Sequence, residues 1–136
     1  VVIPAAKALL AHLKAQNIPM AVFSNKTDRL LLAEIEHLGW ASYFQTRIGA
    51  TSVQKGKPDP EGIHICIENS LPGPANEGVW YVGDTENDMI TAKAAGVTGI
   101  HVMNDPMNSL EEAMQAGADY SFPSTKEMLE TLLRNE

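Results

Sequence analysis

The sequence contains a single cysteine, Cys66, among 136 residues. One cysteine cannot form a disulfide within the chain, and low cysteine usage is typical of proteins in a reducing compartment, so we expect a cytoplasmic location. Long hydrophobic runs are also missing, since no stretch approaches the roughly 20 residues that a membrane-spanning helix needs. The sequence therefore predicts neither a disulfide-stapled secreted domain nor a membrane protein.

Basic residues are scarce relative to acidic ones. The chain has 10 lysines and arginines against 17 aspartates and glutamates, which gives a formal net charge of −7. Without a basic stripe, nucleic acid and anionic membrane surfaces are poor candidates for the main partner. Hydrophobic residues make up 44% of the chain, which is ordinary for a globular protein. The length fits one domain, residues 1–136, that is large enough to bury a core.

Segments with helical hydrophobic spacing alternate with short apolar runs. The predicted helices are PAAKALLAHLKAQNI, DRLLLAEIEHLGW, EGIHICIENSL, ENDMITAKAAG, SLEEAMQAG and TKEMLETLLRN, and the predicted strands are PMAVFSN, TRIGA, VWYVGD and TGIHVM. Such alternation predicts the α/β class, with a parallel sheet covered by helices on both faces. In open sheets of this kind, ligands bind beyond the carboxyl ends of the strands.

Polar residues are placed where the predicted strands end. Ser24 and Asn25 close one strand, Asp84 closes another with Asp88 four residues later, and Lys57 lies in the loop after a third. Because the carboxyl ends of parallel strands lie at one edge of a sheet, we expect these five residues to converge.

The types of side chain in this group suit a phosphate and a divalent cation. The Ser24 hydroxyl and neighbouring backbone N–H groups can donate to an anion, and Lys57 can neutralise its charge. Asp84 and Asp88 offer the hard oxygen ligands that Mg²⁺ prefers, and Mg²⁺ takes one or two protein carboxylates together with substrate phosphate.

Each of these residues also has an ordinary role when it is considered alone. Ser24 and Asn25 are good helix caps, and Lys57 could be a solvated loop lysine. Asp84 could cap the following helix, and Asp88 could be a first-turn acid that faces the helix dipole. It is the combination, rather than any one residue, that indicates a site.

Three stretches resemble motifs of the haloacid-dehalogenase-like hydrolases, in particular the phosphoglycolate-phosphatase-like branch. AVFSNK resembles the second motif and KGKPDPEG resembles the third, so Ser24 and Lys57 are the matching catalytic residues. Ser24, Asn25 and Lys57 are the expected phosphate-binding residues. YVGDTENDMITAKAAGV resembles the fourth motif, whose acids Asp84 and Asp88 help to hold Mg²⁺. The resemblance implies a Rossmann-like core and a Mg²⁺-dependent phosphomonoesterase that acts on a phosphorylated small molecule.

The family's first motif, an Asp-x-Asp pair that provides the nucleophile on the central strand, has no match, because no Asp-x-Asp occurs in the sequence. The resemblance therefore implies that the central strand and the cap domain are missing, and we expect the chain to be a truncated part of a longer phosphatase that is inactive alone. The central slot could instead be closed by direct pairing of the flanking strands, or filled by residues 1–3 or by a strand of a second copy in a homodimer. The alternative function is a non-catalytic module that binds phosphate, metal or a protein.

Overall fold

The computed structural model describes residues 5–70, 78–103 and 110–134. Its helices and strands alternate as the sequence predicts. The helices are α1 (Ala6–Ala15), α2 (Asp28–Leu38), α3 (Glu61–Ser70), α4 (Glu86–Ala95), α5 (Leu110–Gln115) and α6 (Thr125–Arg134). The strands are β1 (Ala21–Phe23), β2 (Thr46–Ile48), β3 (Trp80–Gly83), β4 (Thr98–Val102) and β5 (Tyr120–Phe122), and two 3₁₀ turns cover Ala41–Tyr43 and Ala50–Ser52.

All strand pairs in the described residues are parallel, which confirms the predicted fold class. The strands form two sheets rather than one, with the orders β1-β2 and β3-β4-β5. Val22 is in register with Arg47 in the first sheet, and Val82 is in register with Ile100 in the second. The described strands β1 and β3 are not hydrogen-bonded to each other, so they have not closed up by direct pairing. The suggested strand at residues 1–3 lies outside the described residues.

Local sequence signals explain why α2 and α4 begin and end where they do. The Thr27 side chain caps α2 by accepting from the backbone N–H of Leu30 at 3.4 Å. Gly39 and Gly96 follow α2 and α4 in the left-handed conformation, with φ of 73° and 75°. Glycine adopts this conformation without a Cβ penalty and is therefore the common residue after a helix.

Alternation along β4 directs its side chains to two different layers. Ile100 and Val102 face α1 and α6, where they form a buried cluster with Leu9 and Met128. His101 faces the other way and lies in hydrogen-bond range of Ser121, with 2.9 Å between Nδ1 and Oγ. On the same face as His101, a Cβ on Gly99 would lie 3.3 Å from side-chain atoms of Ala92 and Met89 in α4, so helices cover both faces of this sheet, as the sequence predicts for a parallel sheet.

One hydrophobic cluster connects the two sheets. Phe23 and Ile48 come from the first sheet, Ile63 and Ile67 from α3, and the remaining buried members are Ala92, Ala95 and Val97. Tyr81 of β3 packs against this cluster from the second sheet. The cluster fixes the carboxyl ends of β1 and β3 relative to each other, although no backbone hydrogen bonds connect them.

No helix in the three described ranges is both long and apolar enough to cross a membrane.

Candidate functional site

The segment after β3 is held by a reciprocal cap at the start of α4. The Thr85 side chain accepts from the Asp88 backbone N–H at 3.2 Å, and Asp88 Oδ2 accepts from the Thr85 backbone N–H at 3.2 Å. This capping box satisfies two donors that the first helical turn would otherwise leave unpaired. Asp88 is therefore fixed in the first turn, where the sequence predicts it, while the N-cap is Thr85 rather than Asp84.

Gly83 makes room for the Asp88 side chain. A Cβ on Gly83 would lie 2.4 Å from both Cβ and Cγ of Asp88, closer than real Cβ atoms approach other atoms. The glycine before Asp84 is thus needed for the close approach of α4 to the end of β3.

Lys57 forms an ion pair with Asp88 across 31 residues of sequence. Lys57 Nζ lies 2.8 Å from Asp88 Oδ1, and the two side chains are 14% and 8% exposed. Lys57 is therefore not a solvated loop lysine, which was its alternative interpretation. The loop brings an ammonium group to the first turn of α4, as the convergence prediction requires.

The Asp88 carboxylate accepts hydrogen bonds from several directions. Oδ1 accepts from Lys57 Nζ and from the Tyr81 hydroxyl at 3.3 Å, whereas Oδ2 accepts from the backbone of Asp84 and from both the backbone and hydroxyl of Thr85. Burial by itself would raise the pKa of Asp88, but the Lys57 charge and these hydrogen bonds outweigh burial and hold the pKa below its usual value. Asp88 is therefore an anion, and both oxygens of its carboxylate accept hydrogen bonds.

The end of β1 is connected to the Lys57 loop through Asn25. Asn25 Oδ1 accepts from the Lys57 backbone N–H at 3.2 Å, and a Cβ on Gly56 would lie 2.9 Å from the same oxygen. Asn25 thus positions the loop as well as lining the cleft described below. The adjacent Ser24 Oγ accepts from the Lys26 backbone N–H at 3.1 Å in a tight turn.

These segments surround an open cleft of about 500 Å³ at the carboxyl ends of β1 and β3. Its lining consists of Asn25, Lys57 and the run from Asp84 to Asp88. Four of the five predicted site residues therefore line one cleft, and the fifth, Ser24, is adjacent to Asn25 at its edge without lining it.

The charges of the cleft favour the binding of a cation over the binding of an anion. One positive side chain, Lys57, lies among three carboxylates, Asp84, Glu86 and Asp88, so the lining has a net charge of −2. A phosphate dianion would be repelled from this lining, whereas a divalent cation would neutralise it.

Asp84 and Asp88 are the predicted ligands for such a cation. In residues 5–70, 78–103 and 110–134 no three His, Cys, Asp or Glu side chains are arranged to hold a metal ion. Mg²⁺ nevertheless needs only one or two protein carboxylates when water and phosphate complete its shell. Both acids line the cleft, and Asp88 would have to exchange one of its present donors to bind the cation.

Sequence reasoning missed several residues of the site. Phe23 and Tyr81 have their rings beside the Lys57 ammonium, and Glu86 adds a third carboxylate to the cleft. A signal for Tyr81 was present, because residues two apart in a strand face the same side and Tyr81 precedes Gly83 by two. Phe23 had no comparable signal, since nothing in the sequence around it indicates that its ring contacts Lys57.

The fold and the cleft define an α/β protein with a polar site beyond the carboxyl ends of parallel strands. A sequence model of the family described as haloacid dehalogenase-like hydrolase matches residues 1–102. The chain belongs to this family, as the three motifs predict.

Known relatives agree with this assignment. A phosphoglycolate phosphatase of Neisseria meningitidis is 38% identical over 99 residues, which cover 73% of this chain and 41% of that protein. A phosphoglycolate phosphatase of Escherichia coli is 34% identical over 91 residues, or 67% of this chain and 35% of that protein. The chain thus spans less than half the length of these relatives.

A solved structure resembles this chain over nearly all of its length. The crystal structure of a HAD-superfamily hydrolase from Ehrlichia chaffeensis superposes with a TM-score of 0.82 at 27% identity. The match covers 98% of this chain and 58% of that one.

Proposed function

We propose that this chain is the phosphate- and Mg²⁺-binding part of a Mg²⁺-dependent phosphomonoesterase. The observation that carries the proposal is that Asn25, Lys57, Asp84 and Asp88, from three separate segments, line a single cleft. Two of the relatives are phosphoglycolate phosphatases, so phosphoglycolate is the first substrate to test.

Each residue has a distinct part in this proposal. Lys57 neutralises a phosphoryl oxygen, and Ser24 donates to the same group from the end of β1. Asp84 binds Mg²⁺ directly, and Asp88 either exchanges a donor to join it or keeps its present contact with Lys57. Bound Mg²⁺ would supply the positive charge that the acidic lining requires and would polarise the phosphoryl group.

The proposal assigns the nucleophile to none of the 136 residues. Asp84 and Asp88 are poor nucleophiles, because a carboxylate bound to metal or saturated with hydrogen bonds is a weakened attacker. We propose that an aspartate outside the sequence attacks phosphorus, so the chain by itself binds phosphate without turning over a phosphate ester.

Calorimetric titration of the chain with orthophosphate, in the presence and absence of Mg²⁺, tests the binding part. We expect measurable binding only with Mg²⁺, and at least a tenfold loss of affinity in Lys57→Gln and in Asp84→Asn. Lys55→Gln is the matched control, because it removes the same charge from an exposed position in the same loop. Binding that is independent of Mg²⁺, or equally weakened by Lys55→Gln, would contradict the proposal.

A second candidate function is a non-catalytic module that associates through β3. Trp80 and Val82, on one face of this strand, are 50% and 43% exposed, which is unusual for a strand of a parallel sheet. Among the described strands β3 pairs only with β4, and an exposed apolar strand with an unpaired edge is a site for strand addition. This candidate predicts a dimer in light scattering that becomes monomeric in Trp80→Ser, with no effect of Trp40→Ser, whereas a wild-type monomer contradicts it.

A further inference from the structure

The Lys57 side chain is held in place although it belongs to a loop. Residues 53–60 contain neither helix nor strand, yet the Lys57 side chain is only 14% exposed. A long flexible side chain in a loop normally samples many rotamers in water, so specific contacts must restrict this one.

Two aromatic rings, one from each of the two sheets, provide those contacts. The Lys57 ammonium nitrogen lies 5.3 Å from the centroid of the Phe23 ring and 5.4 Å from the centroid of the Tyr81 ring. Both distances are within the range in which a cation is attracted to the face of an aromatic ring. Phe23 ends β1 and Tyr81 lies in β3, so the ammonium group connects two sheets that share no backbone hydrogen bonds.

Tyr81 contacts both members of the ion pair. Its ring approaches Lys57, and its hydroxyl donates to Asp88 Oδ1, the oxygen that also accepts from Lys57. Loss of the whole side chain would therefore remove two contacts, whereas loss of the hydroxyl would remove only one.

Phe23 is fixed from its other side by α3. A Cβ on Gly62 would lie 2.3 to 2.6 Å from three atoms of the Phe23 ring, so the absence of a side chain at Gly62 allows the ring to occupy its position. Phe23 is 6% exposed and belongs to the cluster that connects the sheets. It is thus a rigid surface against which the ammonium group rests.

We propose that Phe23 and Tyr81 are positioning residues that hold the Lys57 ammonium at the cleft for a bound phosphoryl group. This inference rests on the proposed function for the identity of the ligand. The placement of Lys57 by the two rings can be measured without any ligand.

The first test is the NMR signal of the Lys57 ε-CH₂ group, identified by its disappearance in Lys57→Gln. Protons held over aromatic faces are shifted upfield by ring currents, so we expect this signal upfield of the other lysine signals in the wild type. The signal should stay upfield in Tyr81→Phe, which keeps the ring, and return toward the other lysines in Tyr81→Leu. A Lys57 signal at the random-coil position in the folded wild type would overturn the proposal without any further variant.

The second test is the affinity for orthophosphate in the presence of Mg²⁺. We expect Tyr81→Leu and Phe23→Leu each to lose at least tenfold and Tyr81→Phe less than threefold. Tyr43→Leu is the matched control, because Lys14 lies 5.5 Å from the Tyr43 ring in a similar contact away from the cleft. Folded Tyr81→Leu and Phe23→Leu proteins that keep wild-type affinity would overturn the positioning role.

The two proposals fail in different ways. If the wild type binds no orthophosphate but the Lys57 signal is upfield and depends on Tyr81, the rings still position Lys57 and the proposed function is wrong. If the wild type binds orthophosphate and affinity does not depend on Tyr81 or Phe23, the proposed function is supported and this inference is wrong.

Discussion

Lys57 Nζ and Asp88 Oδ1 lie 2.8 Å apart and join a loop after the first sheet to the helix after β3. Both side chains are largely withdrawn from water, so the pair is not an ordinary surface ion pair. The contact combines the ammonium and one of the two acids of the proposed site. It therefore links the stability of the fold to the geometry of the cleft.

Asp88→Asn is expected to lower the free energy of unfolding by about 3 kcal/mol, because it leaves a largely buried lysine without its anion and weakens the α4 cap. Urea denaturation at neutral pH measures the change. The control is Glu111→Gln on the exposed surface of α5, which should change the free energy by less than about 0.5 kcal/mol. Equal effects of the two substitutions would show that the pair does not stabilise the fold.

Acid should remove the contribution of Asp88 to stability. Its pKa in the folded protein lies below the unfolded value of 3.8, so the contribution is present above pH 3.8 and is lost as the pH falls through the folded value. The difference in unfolding free energy between the wild type and Asp88→Asn should therefore be constant from pH 7 to pH 5 and shrink below pH 4. A difference that grows on acidification would contradict the direction of the shift.

Gly62→Ala should destabilise the protein, although this substitution usually stabilises a helix. The alanine Cβ would overlap the Phe23 ring, and overpacking of this kind costs about 1–3 kcal/mol. Asn69→Ala, at an exposed position of the same helix, should instead be neutral or slightly stabilising. A melting temperature of Gly62→Ala above that of the wild type would show that the Phe23 ring is free to move.

The Cys66 thiol should react slowly in the folded protein. Burial raises its pKa from 9.0 to about 11, which lowers the thiolate fraction at pH 8 about a hundredfold relative to an exposed thiol. Iodoacetamide labelling followed by mass spectrometry measures the rate, with the urea-unfolded chain as the reference. The same shift predicts that stability falls as the pH rises from 9 through 11, and Cys66→Ala should lack this part of the alkaline loss.

Local signals made the positions of the helices and of most strands predictable. The apolar period of DRLLLAEIEHLGW predicts α2, and the structure places this helix at Asp28–Leu38 with Gly39 directly after it in the left-handed conformation. The convergence of Lys57 and Asp88 was also predictable, because it follows from parallel topology rather than from any one residue. The pairing of their charged groups is a finer detail that the structure supplies.

Long-range contacts account for what the sequence did not indicate. The missing central strand that the resemblance implies already predicts a gap beside VWYVGD, and β3 has β4 as its only partner among the described strands. The half-exposed Trp80 is the finer detail, because the exposure of a side chain depends on what packs over it, and a periodic pattern within β3 contains no such information. The aromatic contacts of Lys57 were missed for the same reason, since Phe23 and Tyr81 meet only in the folded chain.

A crystal structure of the chain grown with Mg²⁺ and orthophosphate tests the central claim most directly. The account predicts a cation bound by Asp84 and a phosphate oxygen within hydrogen-bond distance of Lys57 Nζ, both in the cleft between the ends of β1 and β3. Lys57→Gln crystals grown in the same way should lack the anion. A phosphate and cation bound elsewhere, with Lys57 still contacting only Asp88 and the rings, would contradict the account.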